Sequence, residues 1–381
     1  KPMKLSEYIK ADKGGHHMDP LVGYHEDVAS IDFSSMFPSL ICKYNICAEA
    51  ILNNEKERYK APDIPVSMGK KQGFLPQVLR PLIKRREQYK QCPGQYERRI
   101  KALKGVLVSS YGYLRYREFK MGIAEAHMAI CAYARDVLLQ AKAIAEREGF
   151  RVLHGLVDSL YIQREGLTNT EVTQLCSQIY EETGIGISSD GILDWICFLR
   201  SKTDPKKPVV TRYFGIFRNK TFQMKGIMHA QKSQPEIVKQ LQEDLVMCID
   251  QKLSVGECKD VLHTYIQKLQ LCDAQKLTCT VKPRKLQYKH NCIQQQVIDE
   301  YQSAGIDVKP GFTLSYIHTT DGVSLPETYQ GNYDVQYYTD LLYNAVFEIL
   351  APFGYTLTDI KQWVTHPLQQ RLQLMDKTQC L

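Results

Sequence analysis

This sequence lacks the features of a membrane, secreted or zinc-stabilised protein. No apolar run reaches the roughly 18 residues that a membrane-spanning helix requires. The N-terminus has no basic-then-apolar signal pattern. The twelve cysteines are scattered, and none form a CxxC pair, so neither a zinc site nor a disulfide framework is predicted. We therefore expect a cytoplasmic protein with reduced thiols and no membrane partner.

The length and the charge set broader limits. A chain of 381 residues is too long for one small core, so two or three domains are expected. Hydrophobic residues make up 44% and charged residues 24%, which is ordinary for a globular protein. The net charge of +7 permits nucleic-acid binding without requiring it.

A strand that ends on an acid is the first candidate functional element. Val28 to Ile31 are typical of a short buried strand, Asp32 ends it, and Pro38 forces a turn into a new element. A carboxylate at a strand end, followed by free backbone N–H groups, suits a divalent cation that carries phosphates. The alternative is that Asp32 only caps the next helix.

A basic helical pair follows. Apolar residues at helical spacing from Leu75 to Ile83 predict one helix, and a similar pattern from Ile100 to Leu107 predicts a second. The short break at residues 92–94 favours an antiparallel hairpin. The basic residues of this hairpin provide a surface that suits a triphosphate. The plainer interpretation is a basic helix face that contacts only solvent.

A second acid follows a second strand. Residues 151–162 are typical of a β-hairpin whose tight turn carries Asp158. Two strand-borne acids, with Arg86, Lys90 and Lys104 between them in sequence, match the requirements of nucleotidyl transfer by two metal ions. A basic loop with an interleaved aromatic, residues 281–289, is a candidate for tracking a nucleic-acid backbone.

These segments resemble, in order, the motifs of family B DNA polymerases. Asp32 to Ser39 is similar to the motif DFxSLYPS, Lys104 to Gly112 resembles KxxxNSxYG, and His154 to Ser159 resembles YxDTDS. Further similar segments are Gly14-Gly15 before the palm, the fingers helix at 73–90, the KxY segment at 211–215, and the thumb segments at 305–311 and 333–338.

The resemblance implies an α+β right-hand fold with an antiparallel-sheet palm, helical-hairpin fingers and a mainly helical thumb. The expected boundaries are 1–52 for the first palm segment with its N-terminal loop, 53–112 for the fingers, 113–240 for the second palm segment and 241–381 for the thumb. Because only residues 1–27 precede the first motif, we expect this chain to lack the family's proofreading 3′–5′ exonuclease.

The resemblance also implies roles for individual residues. Asp32 and Asp158 would be catalytic and would bind two Mg²⁺ ions together with Phe33, with Mn²⁺ as a substitute. Phe37 would exclude the ribose 2′-OH, unless it is simply a core residue. The remaining nucleotide-binding residues would be Ser34, Ser35, Met36, Arg86, Lys90, Lys104 and Tyr111. The DNA-binding residues would be Gly14, Gly15, Arg212, Tyr213, Gly215, Lys282, Arg284 and Lys285.

Four positions depart from the family's motifs. Leu156 replaces the first acid of YxDTDS, and His154 replaces its Tyr. Val108 replaces the Asn of the second motif, and Arg212 replaces the Lys of KxY. These changes suggest a slow, lesion-tolerant or inactivated relative, similar to archaeal paralogues with an altered third motif.

We therefore expect a magnesium-dependent DNA-directed DNA polymerase that serves replication, repair or translesion synthesis near the nucleoid. Its expected partners are primer–template DNA and dNTPs, with a separate exonuclease or N-terminal subunit or a sliding clamp as further candidates. The alternative is a catalytically weak or inactive polymerase-like DNA-binding subunit. Retention of both acids and the three cations favours activity.

Overall fold

A computed structural model describes residues 6, 10, 12–53, 55–92, 94–116, 118–269 and 272–365. Its contacts divide the chain into two compact units. Unit 1 is formed by residues up to 21, 25–194 and 207–210, and unit 2 by residues 22–24, 195–206 and those from 211 onward. No helix among the described residues is long and apolar enough to cross a membrane.

The strands of unit 1 form a main sheet, at which both acids lie, and a separate pair. They are β1 (His17–Met18), β2 (Gly23–Phe33), the separate pair β3 (Arg58–Lys60) and β4 (Ser67–Gly69), β5 (Arg151–Leu156), β6 (Ser159–Gln163) and the first part of β7 (Ile187–Arg200). The sheet order within this unit is β1-β5-β6-β2-β7. Antiparallel pairing of β2 with β6 aligns Asp32 with Ser159, which sets the register of the site.

Helices pack around this sheet. They are α1 (Met36–Tyr44), α2 (Ala48–Leu52), α3 (Phe74–Lys90), α4 (Glu97–Tyr113), α5 (Ala124–Arg147) and α6 (Asn169–Thr183). Helices α3 and α4 lie against each other, which confirms the predicted hairpin. Helix α5 buries an alanine-rich stripe in the core of the unit. Thr168 and Glu171 form a reciprocal capping box at the start of α6.

Unit 2 combines the end of β7 with later strands and helices. Its elements are β8 (Pro208–Phe217), β9 (Phe222–Lys225), α7 (Glu236–Asp250), α8 (Val255–Leu269), α9 (Ala274–Leu277), β10 (Cys279–Val281), α10 (Ile293–Ser303), β11 (Leu314–Thr319), β12 (Gly322–Ser324), α11 (Val335–Leu350) and α12 (Leu357–Thr365). The amphipathic helices α7, α8 and α11 enclose a core with Leu241, Leu262 and Val346.

The predicted mixture of helices with an antiparallel sheet is confirmed. The hairpin at 151–162 and the two strands after residue 208 form as expected. A three-stranded sheet, β10-β11-β12, was not predicted, because its strands are only three to six residues long. The division into palm, fingers and thumb stays a prediction.

Candidate active site

In unit 1, one predicted acid lies on a strand and the other lies in a turn beside that strand. Asp32 is next to last in β2, and Asp158 lies in the turn between β5 and β6. The backbone N–H of Phe33 donates to the carbonyl of Asp158 at 2.8 Å. Sheet pairing therefore brings together two residues that are far apart in sequence.

The turn that presents Asp158 is tight. The N–H of Asp158 donates to the carbonyl of Leu156 at 2.6 Å, which closes a three-residue turn around Val157. Val157 has a φ of 57°, an unfavourable conformation for a β-branched residue. The N–H of Val157 donates to His16, and a Cβ added at Gly15 would lie 3.2 Å from the Val157 side chain. The Gly14-Gly15 segment thus supports the turn, and Arg135 fixes it by donating to the Gly14 carbonyl at 2.6 Å.

Negative charge is concentrated around Asp32. Burial, followed by repulsion from Asp158 and Asp190, raises the pKa of Asp32 to about 7, and Lys104 and Lys90 oppose this shift. Asp190 on β7 was not predicted as a site residue. It accepts a hydrogen bond from the Ser30 hydroxyl at 3.3 Å. The signal in the sequence was weak, since Asp190 belongs to none of the motifs and follows two serines near the start of its strand.

The cations predicted to bind phosphate face this acidic strand end. Nη1 of Arg86 on α3 donates to the Ser35 hydroxyl at 2.7 Å, although the side chain is largely buried. Desolvation lowers the pKa of Arg86, and the charge of Asp32 raises it. For Lys90, desolvation and repulsion from Arg86 lower the pKa, and Asp32 and Asp190 raise it. The structure therefore brings Arg86, Lys90 and Lys104 into the electrostatic environment of Asp32.

The segment between Asp32 and α1 adopts an unusual backbone. Ser35 has a φ of 52°, in the left-handed region, just before α1 begins at Met36. The N–H of Ser34 donates to the carbonyl of Gly186 at 2.8 Å. Phe37 lies in the first turn of α1, and its ring packs on Tyr111 of α4 with centroids 4.3 Å apart. Among the expected nucleotide-binding residues of this segment, Ser34, Ser35 and Phe37 are partly exposed, and Met36 is buried in the core of unit 1.

The donors at this site fit a divalent cation only with help from a substrate. Among the described residues, no three His, Cys, Asp or Glu side chains are arranged to hold an ion by themselves. Asp32, Asp158 and the carbonyl of Phe33 are hard oxygen donors of the kind that Mg²⁺ prefers, and Mg²⁺ commonly completes its shell with phosphate oxygens and water. The unbalanced negative charge at Asp32 is consistent with such an arrangement.

The residues of the KxY-like segment are held inside unit 2. The guanidinium of Arg212 donates to Glu348 at 2.7 Å and to the carbonyls of Arg200 and Gly226 at 2.7 and 3.2 Å. The Tyr213 ring is buried, and a Cβ added at Gly215 would lie 2.4 Å from the carbonyl of Trp195. These residues have clear structural roles, and their contacts with DNA stay predictions.

The basic loop of unit 2 is accessible. Lys282, Arg284 and Lys285 are all exposed. Nζ of Lys285 lies 4.9 Å from the centroid of the Tyr288 ring, and the Tyr288 hydroxyl accepts a hydrogen bond from the Arg284 N–H at 3.1 Å. The loop therefore presents positive charge beside an aromatic ring, as the sequence predicts.

Glu348 is the centre of a buried polar network that the sequence did not reveal. One carboxylate oxygen accepts from Arg212 and Lys202, and the other accepts from the Met228 N–H at 2.6 Å and from Gln242 at 3.2 Å. Burial alone would raise the pKa of Glu348, but the hydrogen bonds from Lys202 and Met228 outweigh it and lower the pKa.

We expect Glu348→Gln to lower the free energy of unfolding by about 3 kcal/mol, because it removes the buried counter-ion of the largely buried Arg212 side chain. Because the folded-state pKa is depressed, the contribution of Glu348 is complete above its ordinary value of 4.5 and is lost as the pH falls below that value. Urea unfolding at neutral and acidic pH tests both points. Asp340→Asn on the same helix is the control, since its ion pair with Lys361 is exposed and contributes at most about 1 kcal/mol.

Comparison with known proteins agrees with this fold. Over 90% of the chain, the structure is similar to that of the family B DNA polymerase from the hyperthermophilic archaeon Pyrobaculum calidifontis, with a TM-score of 0.63 and 25% sequence identity, and the match covers 47% of that protein. The family model "DNA polymerase family B" matches residues 3–307. The chain therefore belongs to DNA polymerase family B.

Curated archaeal relatives lead to the same conclusion. The chain is 32% identical to DNA polymerase 2 of Saccharolobus solfataricus over 266 residues, which is 70% of this chain and 39% of the relative. It is 27% identical to DNA polymerase 2 of Aeropyrum pernix over 372 residues, which is 90% of this chain and 45% of the relative. The chain thus spans less than half the length of these two proteins.

Proposed function

We propose that this chain is the catalytic core of a DNA-directed DNA polymerase, which adds deoxynucleotides to a primer 3′ end under direction of a template strand. The observation that carries the proposal is the meeting of Asp32 and Asp158 at one strand end, in the electrostatic environment of Arg86, Lys90 and Lys104. Membership of DNA polymerase family B supports it.

The acids take the role of metal ligands in this proposal. Asp32, Asp158 and the Phe33 carbonyl hold two Mg²⁺ ions, for which Mn²⁺ can substitute. When bound, such ions lower the pKa of the attacking 3′ hydroxyl and neutralise charge on the leaving pyrophosphate. Asp190 contributes negative charge nearby and strengthens the attraction for cations.

The remaining residues bind and orient the nucleotide. Arg86, Lys90 and Lys104 hold the triphosphate, which places the α-phosphorus for attack and offsets its charge. The backbone from Ser34 to Met36 lines the phosphates. Tyr111 lies near the nascent base pair, and Phe37 excludes the ribose 2′-OH by steric contact.

Experimentally, the proposal requires extension of a labelled primer on a DNA template with Mg²⁺ or Mn²⁺, and loss of that extension when EDTA removes the metal. The same assay without nucleotides tests whether this chain lacks 3′–5′ exonuclease activity, as predicted. A chain that binds primer–template without extending it would instead fit the weak or inactive subunit that the changes at Leu156 and Val108 suggest.

DNA binding is proposed to use the Gly14-Gly15 segment, Arg212, Tyr213 and Gly215, and the basic loop with Lys282, Arg284 and Lys285. The palm, fingers and thumb assignments, a role in replication, repair or translesion synthesis near the nucleoid, and contacts with a sliding clamp or a separate exonuclease subunit belong to the same proposal. These assignments rest on the resemblance of the amino-acid sequence to family B.

Primer–template affinity should fall steeply as salt rises, because exposed cations such as Lys282 and Lys285 would release counterions from phosphates. The logarithm of the affinity should fall linearly with the logarithm of salt, by about 0.9 per duplex phosphate contacted. Fluorescence anisotropy over a salt series measures the slope. The triple variant Lys282→Ala, Arg284→Ala and Lys285→Ala should reduce it, and an unchanged slope would remove the loop from the DNA interface.

A further inference from the structure

Three aromatic rings from three helices of unit 1 stack in series next to the proposed nucleotide site. Phe37 of α1 packs on Tyr111 of α4 with centroids 4.3 Å apart and ring planes inclined by 31°. Tyr111 packs in turn on His127 of α5 with centroids 4.5 Å apart and planes inclined by 21°. Tyr111 therefore packs against Phe37, the ring proposed to select the sugar, and His127 packs against Tyr111.

Helix α5 fixes the Tyr111 side chain at two points. His127 covers its face, and Sγ of Cys131 lies 3.1 Å from its hydroxyl. His127 and Cys131 are four residues apart and lie on the same face of the helix. Cys131 is 2% exposed, so this contact is enclosed. The Tyr111 ring thus has little freedom to rotate or withdraw.

Within the described part of the chain, no side-chain hydrogen bond of His127 explains its position. The residue is 9% exposed, and its Nδ1 atom is buried without a partner among the described residues. Desolvation, followed by the charge of Arg115, lowers the pKa of the imidazole, which favours its neutral form. Leaving a buried polar atom unpaired costs free energy. The ring does stack on Tyr111.

We propose that His127 is a positioning residue for sugar selection: its ring holds Tyr111, and Tyr111 holds Phe37 at the distance at which a ribose 2′-OH is rejected. The inference rests on the proposed function, in which Phe37 excludes ribonucleotides. His127 itself touches neither substrate nor metal in this proposal. This position requires an aromatic ring. It does not require the nitrogen atoms of the imidazole.

Matched substitutions at His127 test this. His127→Leu fills the site without an aromatic face, and His127→Phe retains the face. The leucine variant should lower the preference for deoxyribonucleotide over ribonucleotide, measured as the ratio of kcat/KM values, by about two- to tenfold, the value of one aromatic pair. The phenylalanine variant should keep the native preference. Leu138→Ala, a core change on the same helix outside the stack, should destabilise the protein without changing the ratio.

Binding provides a second measurement that does not need turnover. Each variant is bound to a dideoxy-terminated primer–template, and the affinities for the matched dNTP and rNTP are compared. The same ratios are measured for Phe37→Ala. Loss of selectivity in both Phe37→Ala and His127→Leu, with recovery in His127→Phe, supports the proposal.

Three different outcomes would overturn the proposed positioning role of His127. If Phe37→Ala loses selectivity but His127→Leu retains it, Phe37 is the gate and His127 does not position it. If Phe37→Ala retains selectivity, the gate assignment in the proposed function is wrong, and the role of His127 falls with it. If His127→Phe loses selectivity as His127→Leu does, the imidazole nitrogens matter and stacking is not the cause.

Discussion

Asp32→Asn should reduce primer extension by at least about a thousandfold while DNA binding stays within a few fold. Asparagine preserves the shape of the side chain but removes the charge that would bind the metal ions. Asp158→Asn should have a comparable effect, because the two acids meet at the Phe33–Asp158 backbone contact. Single-turnover extension with a labelled primer measures the loss, and anisotropy measures DNA affinity.

The same substitution should not lower the free energy of unfolding. Burial and the charges of Asp158 and Asp190 already disfavour the ionised form of Asp32, so removing its charge relieves repulsion. Loss of activity with retained stability separates a functional acid from one that caps a helix. The exposed ion-pair residue Glu182 provides the control, since Glu182→Gln should change neither activity nor DNA binding. Substantial extension by the Asp32→Asn protein would refute the assignment.

Arg86→Ala should lower kcat/KM for the incoming nucleotide by about a hundredfold. Arg86 is largely buried, donates a hydrogen bond to Ser35 and interacts electrostatically with Asp32. Its position is therefore fixed before the substrate binds. The planar guanidinium can bind two phosphate oxygens at once, and Arg86→Lys should therefore recover only part of the loss. Steady-state kinetics with one matched dNTP measure both variants.

Lys84 on the same helix is the matched control for Arg86. It is exposed and two residues away, so it points to a different side of α3. Lys84→Ala should leave nucleotide kinetics unchanged. If Arg86→Ala instead weakened primer–template affinity and left the nucleotide KM and kcat as they were, the residue would belong to the DNA interface.

Periodicity and turn residues predict the local elements of this chain well. The hairpin at 151–162 and the helices around Ile83 and Leu107 follow from apolar spacing, which reflects burial of one face. Asp158 is predictable as a site residue because it lies at a tight turn between two strands. The resemblance to ordered family motifs, rather than the periodicity, singles out Phe37 and Tyr111.

The parts that escaped prediction depend on contacts between distant segments. Asp190 acts on Asp32 only because β7 lies beside β2 in the sheet. Glu348 becomes the partner of Arg212 through packing of α11, 136 residues away along the chain. His127 looks like an ordinary helical residue until its ring is seen on Tyr111. The spacing of residues along the sequence does not predict these contacts.

Single-nucleotide incorporation tests the central proposal most directly. The purified chain is mixed with four primer–templates that differ only in the templating base, each dNTP is supplied separately with Mg²⁺, and the extended primer is quantified. We expect one added nucleotide, complementary to the template in every case, with the product lost in EDTA and in the Asp32→Asn protein. Tight primer–template binding without any incorporation in Mg²⁺ or Mn²⁺, or incorporation that ignores the templating base, would contradict the proposed polymerase activity.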